Sequence, residues 1–149
     1  MLDHLFSPLA VGPVELPCRI VSTAHQTTLV HEHLPTDDFV AYQQARAAGG
    51  AGLIVMEAVA VAPSGLLTAH TLGGYLDGMV DGYRRVAAAV QGEGTKLFVQ
   101  LFHGGREQFG GPPRAPAVAP SAIPSPRASP PRCWRRSAPP RPTSRSASA

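Results

Sequence analysis

The chain has 149 residues and a formal charge of +3, which allows one ordinary domain and hardly two. The charge is unevenly placed: residues 1–110 hold all 10 acids and 6 bases, whereas residues 111–149 hold 7 Arg, no acid and 11 of the 16 prolines. No run of about 18 apolar residues exists, so no membrane span is expected; MLDHLFSPLAVG lacks the basic and long apolar regions of a signal peptide, and Cys18 and Cys133 make no disulfide framework, so a reducing cytoplasm is expected.

The first segment reads FSPLAVGPVELPC. Leu9 and Val11, then Gly12-Pro13, then Val14 and Leu16 predict a short β-hairpin. Arg19 to Ala24 is a short β-branched run that suits a buried strand, and a polar loop follows from His25 to Pro35. Thr36 can cap a helix, and Asp37 and Asp38 favour the positive end of its dipole. Phe39, Tyr42 and Ala45 are expected on its buried face, and Gly49-Gly50 stops it.

Leu53 to Val59 is a continuous apolar run broken only by Glu57, the pattern of a strand buried on both faces and therefore of a parallel sheet. Residues 60–78 are Gly-rich and irregular. Val80, Tyr83, Ala87 and Val90 mark a second amphipathic helix ending near Gly92-Glu93-Gly94. Lys96 to Leu101 is a third strand. Hairpin, β, α, β, α, β is the βα unit repeated, the opening of a doubly wound sheet or of a (β/α)8 barrel. No Gly-x-Gly-x-x-Gly follows the first strand, so a dinucleotide-binding Rossmann start is not supported. From Gly110 the pattern fails. Residues 128–149, ASPPRCWRRSAPPRPTSRSASA, cannot bury enough apolar surface to offset chain entropy and are expected to be disordered.

Four groups of residues invite a chemical reading. His25, His31 and His33 cluster after the first strand, but His-x-His pairs point apart on a strand and need further ligands. A polar loop is therefore preferred and no metal is expected. Glu57 inside an apolar strand must be paired or protonated; a structural pair with Arg19 or another base is preferred to a catalytic role. Gln100 ends the third strand, where barrel side chains face the active site. Its amide offers a donor and an acceptor, which suits the imide edge of a flavin, and equally a hydrogen bond to a neighbouring loop. The tail arginines, interleaved with Pro and Ser, are read as solvated rather than as a nucleic-acid surface.

LFSPLAVGPVELPCRIV, LPTDDFVAYQQARAAGGAGLIVMEAVAVAPSG, LFVQLFHGGREQF and APAVAPSAIPSPR together resemble the N-terminal part of the old yellow enzyme family, in the branch of the 2,4-dienoyl-CoA reductases. The likeness runs from about Leu5 to Arg127. It implies the N-terminal portion of a (β/α)8 TIM barrel, about three βα units preceded by a β-hairpin, and an FMN-dependent NAD(P)H:flavin oxidoreductase acting on a small-molecule substrate with NADH or NADPH as reductant. It implies FMN contacts near Ala24, His25 and Gln26, at Ala58 and at Gln100. His103 and Arg106, on the loop beyond the third strand, are candidates to line the site. The first cluster departs from the family's usual Pro-Met/Leu-Thr pattern.

On this reading, residues 1–110 are a partial barrel domain, 111–127 a loop that still resembles the family, and 128–149 a tail that looks like a GC-rich frame read out of register. The catalytic residues, the flavin phosphate site and five of eight strands would lie elsewhere, since a barrel needs about 250 residues. Such a piece is expected to be inactive alone and to self-associate or to need a complementary barrel fragment; a basic-tailed binding protein is the other reading.

Overall fold

The computed structural model describes residues 2–108 and 117–121. The tail expected at 128–149, and most of the loop at 111–127, lie outside the described residues. The predicted hairpin forms from β1 (Leu9–Val11) and β2 (Val14–Leu16), which pair antiparallel around Gly12 at φ +57°. That left-handed turn conformation costs glycine little. β3 is only Val21–Ser22, shorter than the run Arg19 to Ala24 suggests, because the chain leaves the sheet after Ser22.

The stretch expected as a plain polar loop contains a miniature hairpin, β4 (Val30–His31) and β5 (Leu34–Pro35). Its two turn residues, Glu32 and His33, both have positive φ, at 48° and 64°. That pair of angles belongs to a type I′ turn, whose twist matches the strands it joins.

Helix α1 (Asp37–Ala48) begins where the sequence indicates. The Thr36 hydroxyl accepts from the Phe39 N–H at 3.2 Å and donates to the Leu29 carbonyl at 2.7 Å. It therefore caps the helix and ties it to the preceding segment. Thr36→Ala is expected to cost about 1 kcal/mol, the usual worth of such a cap, measured as the shift in urea unfolding of the whole chain.

β6 (Leu53–Ala60) follows, then a 3-10 turn at Pro63–Gly65, β7 (Leu72–Gly73), helix α2 (Met79–Gly92) and β8 (Lys96–Phe102). β6 is the centre of a parallel sheet. β8 runs along one edge from Leu53↔Lys96 to Ala60↔Phe102. On the other edge, β3 pairs at Leu53 and Ile54, and β7 at Val59 and Ala60. β7 thus occupies the edge that β3 vacates. The outer edge of β8 pairs with no strand among the described residues, and Leu101 on it is 69% exposed.

Both helices bury one face in a single cluster with the sheet: Phe39 and Ala47 from α1, Ile54, Met56 and Val59 from β6, and Met79, Val86 and Val90 from α2. The buried faces differ from those expected. In α1 the face is Phe39, Gln43 and Ala47, and Ala45 is exposed. In α2 it is Met79, Gly82, Val86 and Val90, and Val80 is 52% exposed. Gly82 decides the rotation of α2, because a Cβ there would come within 2.7 Å of the Pro35 ring. The helix can press its backbone against β5 only along that glycine.

Candidate functional site

Because the strands are parallel, the segments following them collect at one end of the sheet. There the chain forms a cleft of about 280 Å³, lined by Ala24, His25, Gln26, Ala58, Leu67, Thr71, Gln100 and Phe102. The five residues nominated from sequence for FMN, namely Ala24, His25, Gln26, Ala58 and Gln100, come from three separate segments and all lie on this one lining. Leu67, Thr71 and Phe102 were not nominated. Phe102 follows Gln100 by two residues, so strand periodicity would have found it. Leu67 and Thr71 lie in the irregular stretch, which has no periodicity to read.

The wall after β3 is fixed by its neighbours. The His25 Nδ1 faces the Thr23 carbonyl at 3.2 Å, and Nε2 meets the Tyr42 hydroxyl of α1. A carbonyl only accepts, so Nδ1 donates to it. The Arg46 guanidinium lies 3.3 Å over the Tyr42 ring and donates to the Tyr42 carbonyl at 3.2 Å. Gln26 is held by its Nε2, which donates to Thr68 Oγ1 at 2.7 Å. Thr71, buried beneath the facing loop, accepts from the Leu67 and Thr68 amides at 3.2 and 3.0 Å.

Glu57 is buried within the apolar strand, as its sequence context requires, but its partner is not Arg19. Arg19 turns to the N-terminal segment, where it donates to Ser7 Oγ and the Pro8 carbonyl. Glu57 Oε2 instead accepts from both the N–H and the hydroxyl of Thr27, each at 2.7 Å. Oε1 is buried with no hydrogen-bond partner. Burial pushes the carboxyl above the usual carboxylate range, and the Thr27 bonds and nearby His25 offset this only in part. Folding therefore favours the neutral acid. The stability this adds is complete at low pH and is lost as pH rises through the raised value.

Gln100 is exposed at the cleft, and its amide has no protein hydrogen bond among the described residues. His103 and Arg106 are not on the lining. His103 accepts from the Gly105 N–H at 2.9 Å and meets Ser64 Oγ at 3.0 Å; Arg106 lies 3.8 Å from Glu107. The three clustered histidines also separate. His31 is exposed, His33 meets the Thr71 carbonyl at 2.8 Å and His25 serves the cleft. No group of three or more His, Cys, Asp or Glu gathers as a metal site among the described residues.

The lining suits the ring of a flavin. Ala24, Ala58, Leu67 and Phe102 give it apolar sides, and the unpartnered amide of Gln100 matches an imide edge, which presents acceptor, donor and acceptor in a row. None of the lining residues is Lys or Arg, so nothing on the lining answers a phosphate. The volume lies just below the usual range of a complete small-molecule pocket, about 300–1,000 Å³.

Three comparisons bear on this geometry. The family model of the NADH:flavin oxidoreductase / NADH oxidase family matches residues 4–133. A metal reductase of Desulforamulus reducens is 38% identical over 126 residues, which span 83% of this chain and 18% of that protein. An NADPH dehydrogenase of Bacillus subtilis is 34% identical over 109 residues, 72% of this chain and 32% of that protein. Among solved structures, morphinone reductase in complex with tetrahydroNAD superposes with a TM-score of 0.70 at 31% identity, over 80% of this chain and 33% of that one. The chain therefore spans a third or less of the length of these relatives.

Proposed function

The chain belongs to the NADH:flavin oxidoreductase / NADH oxidase family, and on that premise we propose that its cleft is the pyrimidine side of an FMN site at the start of a (β/α)8 barrel. One observation carries the reading: side chains from three strand ends converge on a single lining, with the Gln100 amide open at its edge. FMN, when bound, supplies the hydride chemistry, with NADH or NADPH as reductant. The residues of this chain orient it. Ala24 and Ala58 leave room for the ring, Gln100 meets the imide edge, and donors placed there stabilise negative charge on the reduced ring. The substrate is a small molecule reduced or oxidised at that ring, and a reducing cytoplasm is the compartment its composition fits.

The described strands supply β3, β6 and β8 of the eight a barrel needs. In such a barrel the phosphate site lies after strands seven and eight, so the described strands by themselves are expected to turn over no substrate and to hold FMN weakly. The exposed outer edge of β8 favours one further reading, a part-barrel completed by a second polypeptide strand that pairs there.

Titration of the full chain with riboflavin and with FMN, followed by flavin fluorescence, tests the proposal. Both are expected to bind weakly and within about threefold of each other, since a phosphate that meets no partner adds little affinity. FMN binding far tighter than riboflavin would place a phosphate site in this chain, and absence of binding by either would remove the flavin reading.

A further inference from the structure

Glu57 stands at a break in the sheet. Along β6 and β8 the register runs Met56↔Val99 and then Ala58↔Gln100, so Glu57 is the extra residue of a β-bulge. Bulges re-aim a side chain, and they recur beside active sites. Here the break in register holds a buried carboxylate in a strand that is otherwise apolar. The next residue, Ala58, lines the cleft, and so does Gln100 opposite it.

The buried carboxylate grips one thing. Its Oε2 takes both donors of Thr27, the residue directly after the wall segment Ala24-His25-Gln26. Thr28, one residue on, has φ +63°, a strained conformation for a β-branched side chain. The wall is therefore not held by the sheet, which β3 has already left at Ser22, but by this grip, by Tyr42 on His25 and by Thr68 on Gln26.

We propose that Glu57 is a positioning residue of the cleft: its carboxylate clamps Thr27, sets the wall formed by residues 24–26, and ties the affinity of the cleft for a flavin ring to its own charge. This rests on the flavin reading for the ligand, though not for the clamp. An ionised acceptor makes stronger hydrogen bonds than a neutral one, so the charged clamp is the tighter. The unpartnered Oε1 and the cost of a buried charge show what the fold gives up to place it there.

The titratable surroundings are few. His25 faces Glu57 from the wall, backed by Tyr42 and Arg46. β8 offers Val99 and Gln100 opposite the bulge, and neither β3 nor β7 contains an ionisable residue.

The test is an NMR titration of the full chain from pH 8 to pH 4, following the Glu57 carboxyl carbon and the Thr27 amide, with riboflavin affinity measured at the same points. The two resonances are expected to move with one midpoint, and riboflavin affinity to fall about tenfold with them, the loss of one charge-assisted hydrogen bond. Glu57→Gln, isosteric and uncharged, is expected to abolish the Thr27 titration and to bind riboflavin weakly at every pH. Glu57→Ala should shift the Thr27 amide outright. His25→Asn removes the neighbouring imidazole: the Thr27 midpoint is expected to survive in it. A Thr27 amide unmoved by Glu57→Gln, or a midpoint that vanishes in His25→Asn and persists in Glu57→Gln, overturns the proposal. If riboflavin binds at no pH, the flavin reading fails and with it the affinity coupling, while the Thr27 resonance still decides the clamp.

Discussion

Phe39→Ala is expected to remove about 3–5 kcal/mol of stability, the usual cost of truncating a fully buried phenylalanine. Phe39 is 0% exposed and lies in the first turn of α1, where it joins the cluster formed by Ile54, Met56, Val86 and Val90. The cost has two parts: lost transfer of the ring, and a cavity that neighbours on three different elements cannot close together. Native domains hold only about 5–15 kcal/mol in total. A sheet whose β8 edge pairs with no strand among the described residues belongs near the bottom of that range, so the variant should be substantially unfolded at 25 °C. Urea unfolding followed by circular dichroism measures this, with Phe39→Leu, which refills most of the space, losing clearly less. A loss within about 0.5 kcal/mol for Phe39→Ala, the size of an ordinary surface substitution, would mean that the helices do not share one core with β6.

The order of elements was legible because each has a local cause. Thr36 followed by two acids starts α1, glycines end it, and the seven residues Leu53 to Val59, apolar but for Glu57 and preceded by glycines, have the length and composition of a buried strand. The helix faces were not legible, because rotation is set by what each helix meets. Gln43 is buried in α1 although its side chain is polar, and α2 is turned by Gly82 against Pro35. Neither contact has a trace in the periodicity of its own segment. The β4–β5 hairpin was hidden for a different reason. Its turn is built from Glu32 and His33 rather than from Asn-Gly, and the positive φ values stand beside a tertiary contact, His33 on the Thr71 carbonyl, that the local sequence does not announce.

The cleft was legible in part. Gln100 follows from its position at a strand end, since residues at the ends of parallel strands gather at one end of the sheet, whereas Ala58 and the segment Ala24 to Gln26 follow only from the family resemblance. The partner of Glu57 was not, because charge arithmetic points to a base and the structure supplies a threonine. Thr27 satisfies the carboxylate through two neutral donors, and no sequence rule distinguishes it from the other threonines of that loop. Arg19, the obvious counter-charge, is used up by Ser7 and Pro8 on the hairpin side. A buried acid in a strand thus announced a special position correctly while leaving its partner open.

Ala58→Leu is expected to abolish riboflavin binding while leaving the chain folded. Ala58 is partly exposed on the cleft lining, immediately after the bulge, and faces Gln100 across the β6–β8 pair. A ring that reaches the Gln100 amide must pass over Ala58, so a branched side chain there occupies the ring's own volume. The effect should exceed the roughly 10–200-fold that a single methylene makes in a pocket, because three carbons are added to a residue of the cleft lining. The fold should lose little, since the added carbons enter an open cleft and not a packed interior, where overpacking would cost about 1–3 kcal/mol. Riboflavin titration of the variant beside its urea unfolding curve separates the two. Binding lost with stability kept supports the cleft as the seat of the flavin ring, whereas unchanged binding would move the ring elsewhere and leave Gln100 without the part assigned to it.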